Sequence, residues 1–129
     1  MNIPTNVKHT QNDEWIRVEG NNGTIGISDY AQNQLSDVVY VEITVSVGET
    51  VNQGDTCATL ESVKAAADVY MPVSGKVIAI NEEIANSPEL VNSDPYGAAW
   101  LVKVELSDPS ELDELLDAAA YEQKLQAQE

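Results

Sequence analysis

The chain has 129 residues, 43% of them hydrophobic, enough for one domain with a real core and too few for two. Its formal charge is −16, from 22 acidic and 6 basic residues, which argues against nucleic acid and membranes as partners because both call for a basic footprint. Cys57 and His9 are the only residues of their types, so no internal disulfide can form and a metal site is not expected.

In chain order, residues 1–10 carry neither an apolar signal core nor an Arg-rich amphipathic stretch, and the expectation is a cytoplasmic protein. Residues 14–19 nearly alternate apolar and polar positions, which predicts a half-exposed strand. The turn cluster Gly20-Asn21-Asn22-Gly23 joins it to a second short strand over 24–27. Ser28 offers a hydroxyl to cap a short helix running to Leu35, which Ser36-Asp37 ends. Residues 38–47 are dominated by β-branched side chains and read as a strand with one buried face.

Further strands are expected within 51–61, broken by Gly54-Asp55, and over 69–73 and 76–80, separated by Ser74-Gly75. Ser87-Pro88 predicts a helical turn through Val91, and 92–97 reads as loop. Trp100, Val102, Val104 and Leu106 alternate along a last strand. The period then changes. Asp108-Pro109-Ser110-Glu111 predicts the start of a helix over about 109–125, with Leu112, Leu115, Leu116, Ala119 and Ala120 on one face and a frayed tail at 126–129. The sum is one domain over 1–129, mostly β with added helices: a core at about 13–106, built as an antiparallel sandwich or flattened barrel, followed by the C-terminal helix.

Few residues carry chemistry. Cys57 lies within an apparent strand and reads as a small core thiol, and His9 sits in a polar stretch and reads as solvated. A hydrolase or transferase built on Cys57 or on a carboxylate pair lacks a base and an orienting group. Lys64 differs. It lies in Glu61-Ser62-Val63-Lys64-Ala65-Ala66-Ala67-Asp68, flanked by strands, near the tip of a hairpin where small residues leave its amine open to an enzyme. An ε-amine on a flexible stem suits acylation, which removes its charge.

These residues, with Asp68-Val69-Tyr70 and Pro72-Val73-Ser74-Gly75, resemble the lipoyl attachment motif of the glycine cleavage system H proteins. Glu14-Trp15, Gly26-Ile27-Ser28-Asp29-Tyr30-Ala31-Gln32, Val39-Tyr40-Val41-Glu42, Ser87-Pro88-Glu89-Leu90-Val91-Asn92, Asp94-Pro95-Tyr96-Gly97 and Trp100-Leu101 match that family in the same order. The chain departs from it at Asp13, where His is frequent, at Ile43-Thr44, where Leu-Pro is common, and at Ala67, where Ser or Thr is common.

The resemblance implies a lipoyl/biotinyl-carrier-like hybrid of antiparallel β sheets, with lipoate in amide linkage on Lys64. It also implies a non-catalytic role in glycine catabolism. The arm would take an aminomethyl group from the pyridoxal-phosphate glycine decarboxylase (P protein) to the tetrahydrofolate-dependent aminomethyltransferase (T protein). Dihydrolipoamide dehydrogenase (L protein) would reoxidise it, and a lipoate ligase or lipoyl/octanoyl transferase would install it. Glu14, Asn12 and Asp68 are the residues that the resemblance places at a cleft holding the loaded arm. A lipoyl depot that supplies other enzymes would use the same lysine. A biotin carrier would resemble a Met-Lys-Met tip, and Val63-Lys64-Ala65 does not.

Overall fold

The computed structural model describes residues 2–128, and within them nine strands form two antiparallel sheets. Six strands make the larger sheet in the order β1-β2-β3-β9-β8-β5: β1 (Lys8–His9), β2 (Glu14–Glu19), β3 (Asn22–Ile27), β9 (Val102–Leu106), β8 (Gly75–Ile80) and β5 (Thr50–Val51). Three make the smaller, in the order β4-β6-β7: β4 (Val38–Ile43), β6 (Thr56–Ser62) and β7 (Ala66–Tyr70). Branched aliphatic side chains from both sheets meet between them, among them Ile16, Ile25, Val77, Val102 and Val104 from the larger and Val41, Leu60 and Val69 from the smaller. Each such side chain, fully buried, contributes about 1.5–3 kcal/mol.

The mostly β architecture with added helices is as expected. Ser28 caps α1 (Asp29–Leu35), its Oγ accepting the Ala31 N–H at 3.1 Å. Two four-residue helices, α2 (Glu83–Asn86) and α3 (Leu90–Ser93), cross the 81–101 segment. Asn92, expected in a loop, lies in α3 and bonds three ways: its side-chain N–H groups donate to the Ser36 carbonyl and Gln32 Oε1, and its Oδ1 accepts the Val38 N–H. That one side chain closes the end of α1 onto the start of β4.

The C-terminal helix is not continuous. Asp108 caps and Pro109 opens a 3₁₀ helix over Pro109–Glu114, but Leu115 is extended and Leu116 forms an antiparallel bridge with His9. A new helix, α4 (Ala118–Gln128), starts after Asp117, whose Oδ1 accepts the Ala120 N–H at 2.8 Å. The bridge overrides the local helix preference, because both backbone groups of Leu116 find sheet partners at 2.8 Å. The leucine stripe therefore does not share one helical face. Leu112 packs on the core from the 3₁₀ helix and Leu115 from the extended residue after it, and α4 buries Tyr121 and Leu125 while exposing Ala119. The helix runs through Gln128; Glu129, the end of the expected frayed tail, and Met1 lie outside the described residues.

The N-terminal stretch also differs from its polar reading. Lys8 and His9 pair with Ile16 and Trp15 as β1 against β2, and His9 is fully buried. Residues 14–16 are all buried, so β2 begins inside the molecule and is not half-exposed.

Candidate functional site

Lys64 occupies the turn between β6 and β7, whose ladder runs up to the pair Glu61↔Ala66. One hydroxyl shapes that turn. Ser62 Oγ accepts the Lys64 N–H at 3.3 Å and the Ala65 N–H at 3.0 Å, and donates to the Ala65 carbonyl at 3.2 Å. This uses the one donor and two acceptor positions that a serine has. The Val63 N–H donates to the Asp37 carbonyl at 3.1 Å, which fastens the tip to the end of α1. Val63, Lys64, Ala65 and Ala66 are exposed, and the lysine ammonium makes no salt bridge among the described residues. A tight turn, small neighbours and an unpaired amine are what an acyl-lysine requires.

Along β7 from this tip lies a cleft of about 200 Å³. Asn12, Asp13 and Glu14 border it from the entry to β2, Ala31 and Leu35 from α1, and Leu60, Ala67, Asp68 and Val69 from the hairpin. Ala67 pairs with Leu60 in the ladder, and its small side chain leaves the hairpin wall open. Asp68 lies on β7, four residues beyond Lys64. The lining combines apolar side chains, Ile27, Leu35, Leu60 and Val69 among them, with the acids Asp13, Glu14 and Asp68, which fits an apolar arm ending in a cation. The three residues placed here by family resemblance therefore border one cavity. Asn12 and Asp68 are exposed, and Glu14 is 2% exposed.

Glu14 is held firmly. Its Oε1 accepts the Thr10 hydroxyl at 2.5 Å and its Oε2 accepts the Tyr70 N–H at 3.1 Å. Burial raises its pKa above the usual 4.5, and these two hydrogen bonds work against that rise. Glu14 and Asn12 also border a second cavity of about 190 Å³, shared with Gln53, Tyr70 and Pro72.

Behind the rim lies a polar cluster that the sequence pattern did not signal. Asp13 Oδ1 accepts from Tyr121 Oη at 2.9 Å and from Lys124 Nζ at 3.2 Å. Tyr121 Oη is 2.8 Å from Ser28 Oγ, and burial pushes its pKa upward. The His9 ring stacks on that of Tyr121 at 3.9 Å, with Nε2 2.9 Å from Tyr96 Oη. Contrary to its solvated reading, His9 has a pKa lowered to about 4 by burial and then by the charge of Lys124. Cys57 is buried as expected, and burial, with the nearby Glu14 charge, pushes its thiol up to about 12. A thiol so held is no nucleophile at neutral pH.

Residues 7–128 match the glycine cleavage H-protein family. A glycine cleavage system H protein of Carboxydothermus hydrogenoformans is 51% identical over 124 residues, covering 96% of this chain and 95% of its own. That of Symbiobacterium thermophilum is 52% identical over 121 residues, covering 94% of each. A crystal structure of a glycine cleavage system H protein from Mycobacterium marinum gives a TM-score of 0.87 at 33% identity, covering 96% of this chain and 99% of that one. The body of two antiparallel sheets is that of a lipoyl-domain-type fold. The chain belongs to the glycine cleavage H-protein family, and so to the carrier components of the glycine cleavage system. Among the described residues no helix is long and apolar enough to cross a membrane.

Proposed function

We propose that this chain carries lipoate in amide linkage on Lys64 and shuttles an aminomethyl group from the glycine decarboxylase to the tetrahydrofolate-dependent aminomethyltransferase, with dihydrolipoamide dehydrogenase as the reoxidising partner. The observation that carries this reading is the position of Lys64, exposed on a turn tied by Ser62 and one short strand away from an acid-rimmed cleft. When bound, the group supplies a dithiolane whose sulfur takes up and releases the cargo. The chain's own residues supply placement and protection.

Ser62 fixes where the lysine stem leaves the surface. The apolar cleft walls, Leu35, Leu60 and Val69, take the hydrocarbon part of the arm out of water. Glu14 and Asp68 face the cargo's ammonium, and Asn12 offers it a neutral polar partner. A charge-assisted hydrogen bond of this kind is worth about 1.5–3 kcal/mol. An arm without cargo lacks the ammonium, gains none of this and is free to leave the cleft. The same carboxylates thereby separate loaded from unloaded states by differential affinity.

The test is acylation of the Lys64→Arg protein. With a lipoate ligase, ATP and lipoate, intact mass is expected to show one lipoyl adduct on the parent and none on the variant, because arginine keeps the charge but offers no acylatable amine. An adduct on Lys64→Arg would overturn the assignment.

A further inference from the structure

The helix α4 reaches the cleft rim through side chains that the carrier reading leaves without a task. Tyr121 is fully buried and carries one hydroxyl proton. It donates that proton to Asp13 Oδ1 at 2.9 Å and accepts from Ser28 Oγ at 2.8 Å. Lys124 Nζ meets the same Asp13 oxygen at 3.2 Å, the one salt bridge among the described residues. The Asp13 main chain is committed as well: its carbonyl accepts the Ser28 N–H at 2.9 Å and its N–H donates to the Thr10 carbonyl at 3.3 Å. Asp13 stands at φ +69°, in the left-handed region that L-residues adopt at a cost and keep only where surrounding contacts over-determine them. Its sequence neighbours are Asn12 and Glu14, the β2-side rim of the cleft.

We propose that Asp13 is a positioning residue and that α4 acts as a clasp. Tyr121 and Lys124 hold the Asp13 carboxylate, this keeps the left-handed turn, and the turn sets Asn12 and Glu14 against the cargo. This deepens the carrier reading and rests on it. Lys124 has a second effect: it offsets the Asp13 charge, so the cleft presents Glu14 and Asp68 to a cation without a third unpaired acid beside Glu14. A helix that merely stabilised the body would have no local effect on the rim. The clasp does, because its bonds end on one residue between two rim residues.

The test uses lipoylated protein in its reduced dithiol form, loaded with formaldehyde and ammonium, which condense on one thiol with loss of water to give the aminomethyl adduct, in the parent and in Tyr121→Phe, Lys124→Met and Lys124→Arg. Loss of the cargo to water, as formaldehyde and ammonium with return of the free thiol, is followed without partners. Amide exchange of each unlipoylated protein is read alongside. Tyr121→Phe and Lys124→Met are expected to lose cargo about fivefold faster, within the range spanned by coupling between neighbouring elements. Exchange should quicken at Asp13, Glu14 and Ser28 and stay unchanged along β6 and β7, with lipoylation of Lys64 at the parent rate. Lys124→Arg should restore the parent lifetime.

Cargo lifetimes that match the parent in both weakened variants would overturn the clasp while leaving the carrier reading intact. Exchange that quickens uniformly through β8 and β9 would assign α4 a purely structural role and overturn it too. A parent protein that holds cargo no longer than free lipoamide does would end the docked-arm reading, and the clasp with it.

Discussion

The Glu14 carboxylate accepts the Tyr70 main-chain N–H at 3.1 Å, a bond that joins the far end of β7 to the start of β2. Glu14→Gln keeps an acceptor for Tyr70 and removes the charge. Thermal stability should shift by only a few degrees, while cargo loss from the loaded arm quickens tenfold or more, as expected for one charge-assisted bond of about 1.5–3 kcal/mol. Because burial raises the Glu14 pKa, the parent's cargo lifetime should shorten with acid at a higher pH than an ordinary glutamate would impose. Following adduct decay in both proteins over a pH series checks both statements.

Stability should depend on pH through His9. Its pKa is about 4 in the folded chain against an ordinary 6.5, so between those values the unfolded chain binds a proton that the folded chain does not. Stability is therefore full above about pH 6.5 and falls as pH drops toward 4, by on the order of 3 kcal/mol in all. Glu14 acts with the opposite sign: its raised pKa favours the protonated folded form and offsets part of the loss just above pH 4.5. Urea unfolding at stepped pH measures the slope. His9→Phe keeps a ring to stack on Tyr121 and loses the titrating group, so its curve should be lower overall and lack the fall between pH 6.5 and 4, leaving only the opposite-signed contribution of Glu14. A parent-like slope in that variant would move the effect elsewhere.

Ser62→Ala should leave the body intact and loosen only the lysine turn. Three hydrogen bonds of the exposed tip are lost, each worth about 0.5–1.5 kcal/mol in general and less where water replaces it. The melting temperature should change little, and the rate of acylation by a lipoate ligase should fall severalfold. Ser62→Thr, with its hydroxyl retained, should recover the rate. Discontinuous ligase assays read by intact mass would decide it.

Docking to the decarboxylase should weaken with salt. The chain's formal charge is −16, and acylation of Lys64 takes it to −17 by loss of one positive charge. Exposed charges are screened beyond about 8 Å at physiological ionic strength. The apparent KM for this protein as substrate should rise with added salt, whereas KM independent of salt would confine the acidity to solubility.

What the sequence showed and what it hid follow the range of the interactions. The Ser28 cap, the hairpin around Lys64 and the alternating β9 strand rest on neighbours within a few residues, and local pattern reveals them. Asn12, Glu14 and Asp68 come to one cleft in the structure, yet only family resemblance suggested it, because the β2 entry and β7 are far apart in the chain. His9 looked solvated because its neighbours are polar; its burial comes from Tyr121, Tyr96 and Trp15, none within five residues of it. At the C-terminus the local signal is real, since Asp108 and Pro109 do start a helical turn. The bridge from Leu116 to His9 then breaks it, and nothing near Leu116 in sequence announces a strand partner at the other end of the chain.

That bridge has a consequence for how the molecule is made. Pairing residue 9 with residue 116 closes a loop spanning nearly the whole chain, and ordering so long a loop becomes favourable only after the sheets between its ends are formed. Asp13, Tyr121 and Lys124 meet just beyond the same joint. During synthesis the lysine hairpin and the residues lining the cleft beside it are therefore complete well before the bonds from Tyr121 and Lys124 to Asp13 can form. A nascent chain released short of Lys124 would carry a finished Lys64 hairpin with the Asp13 turn still unclasped.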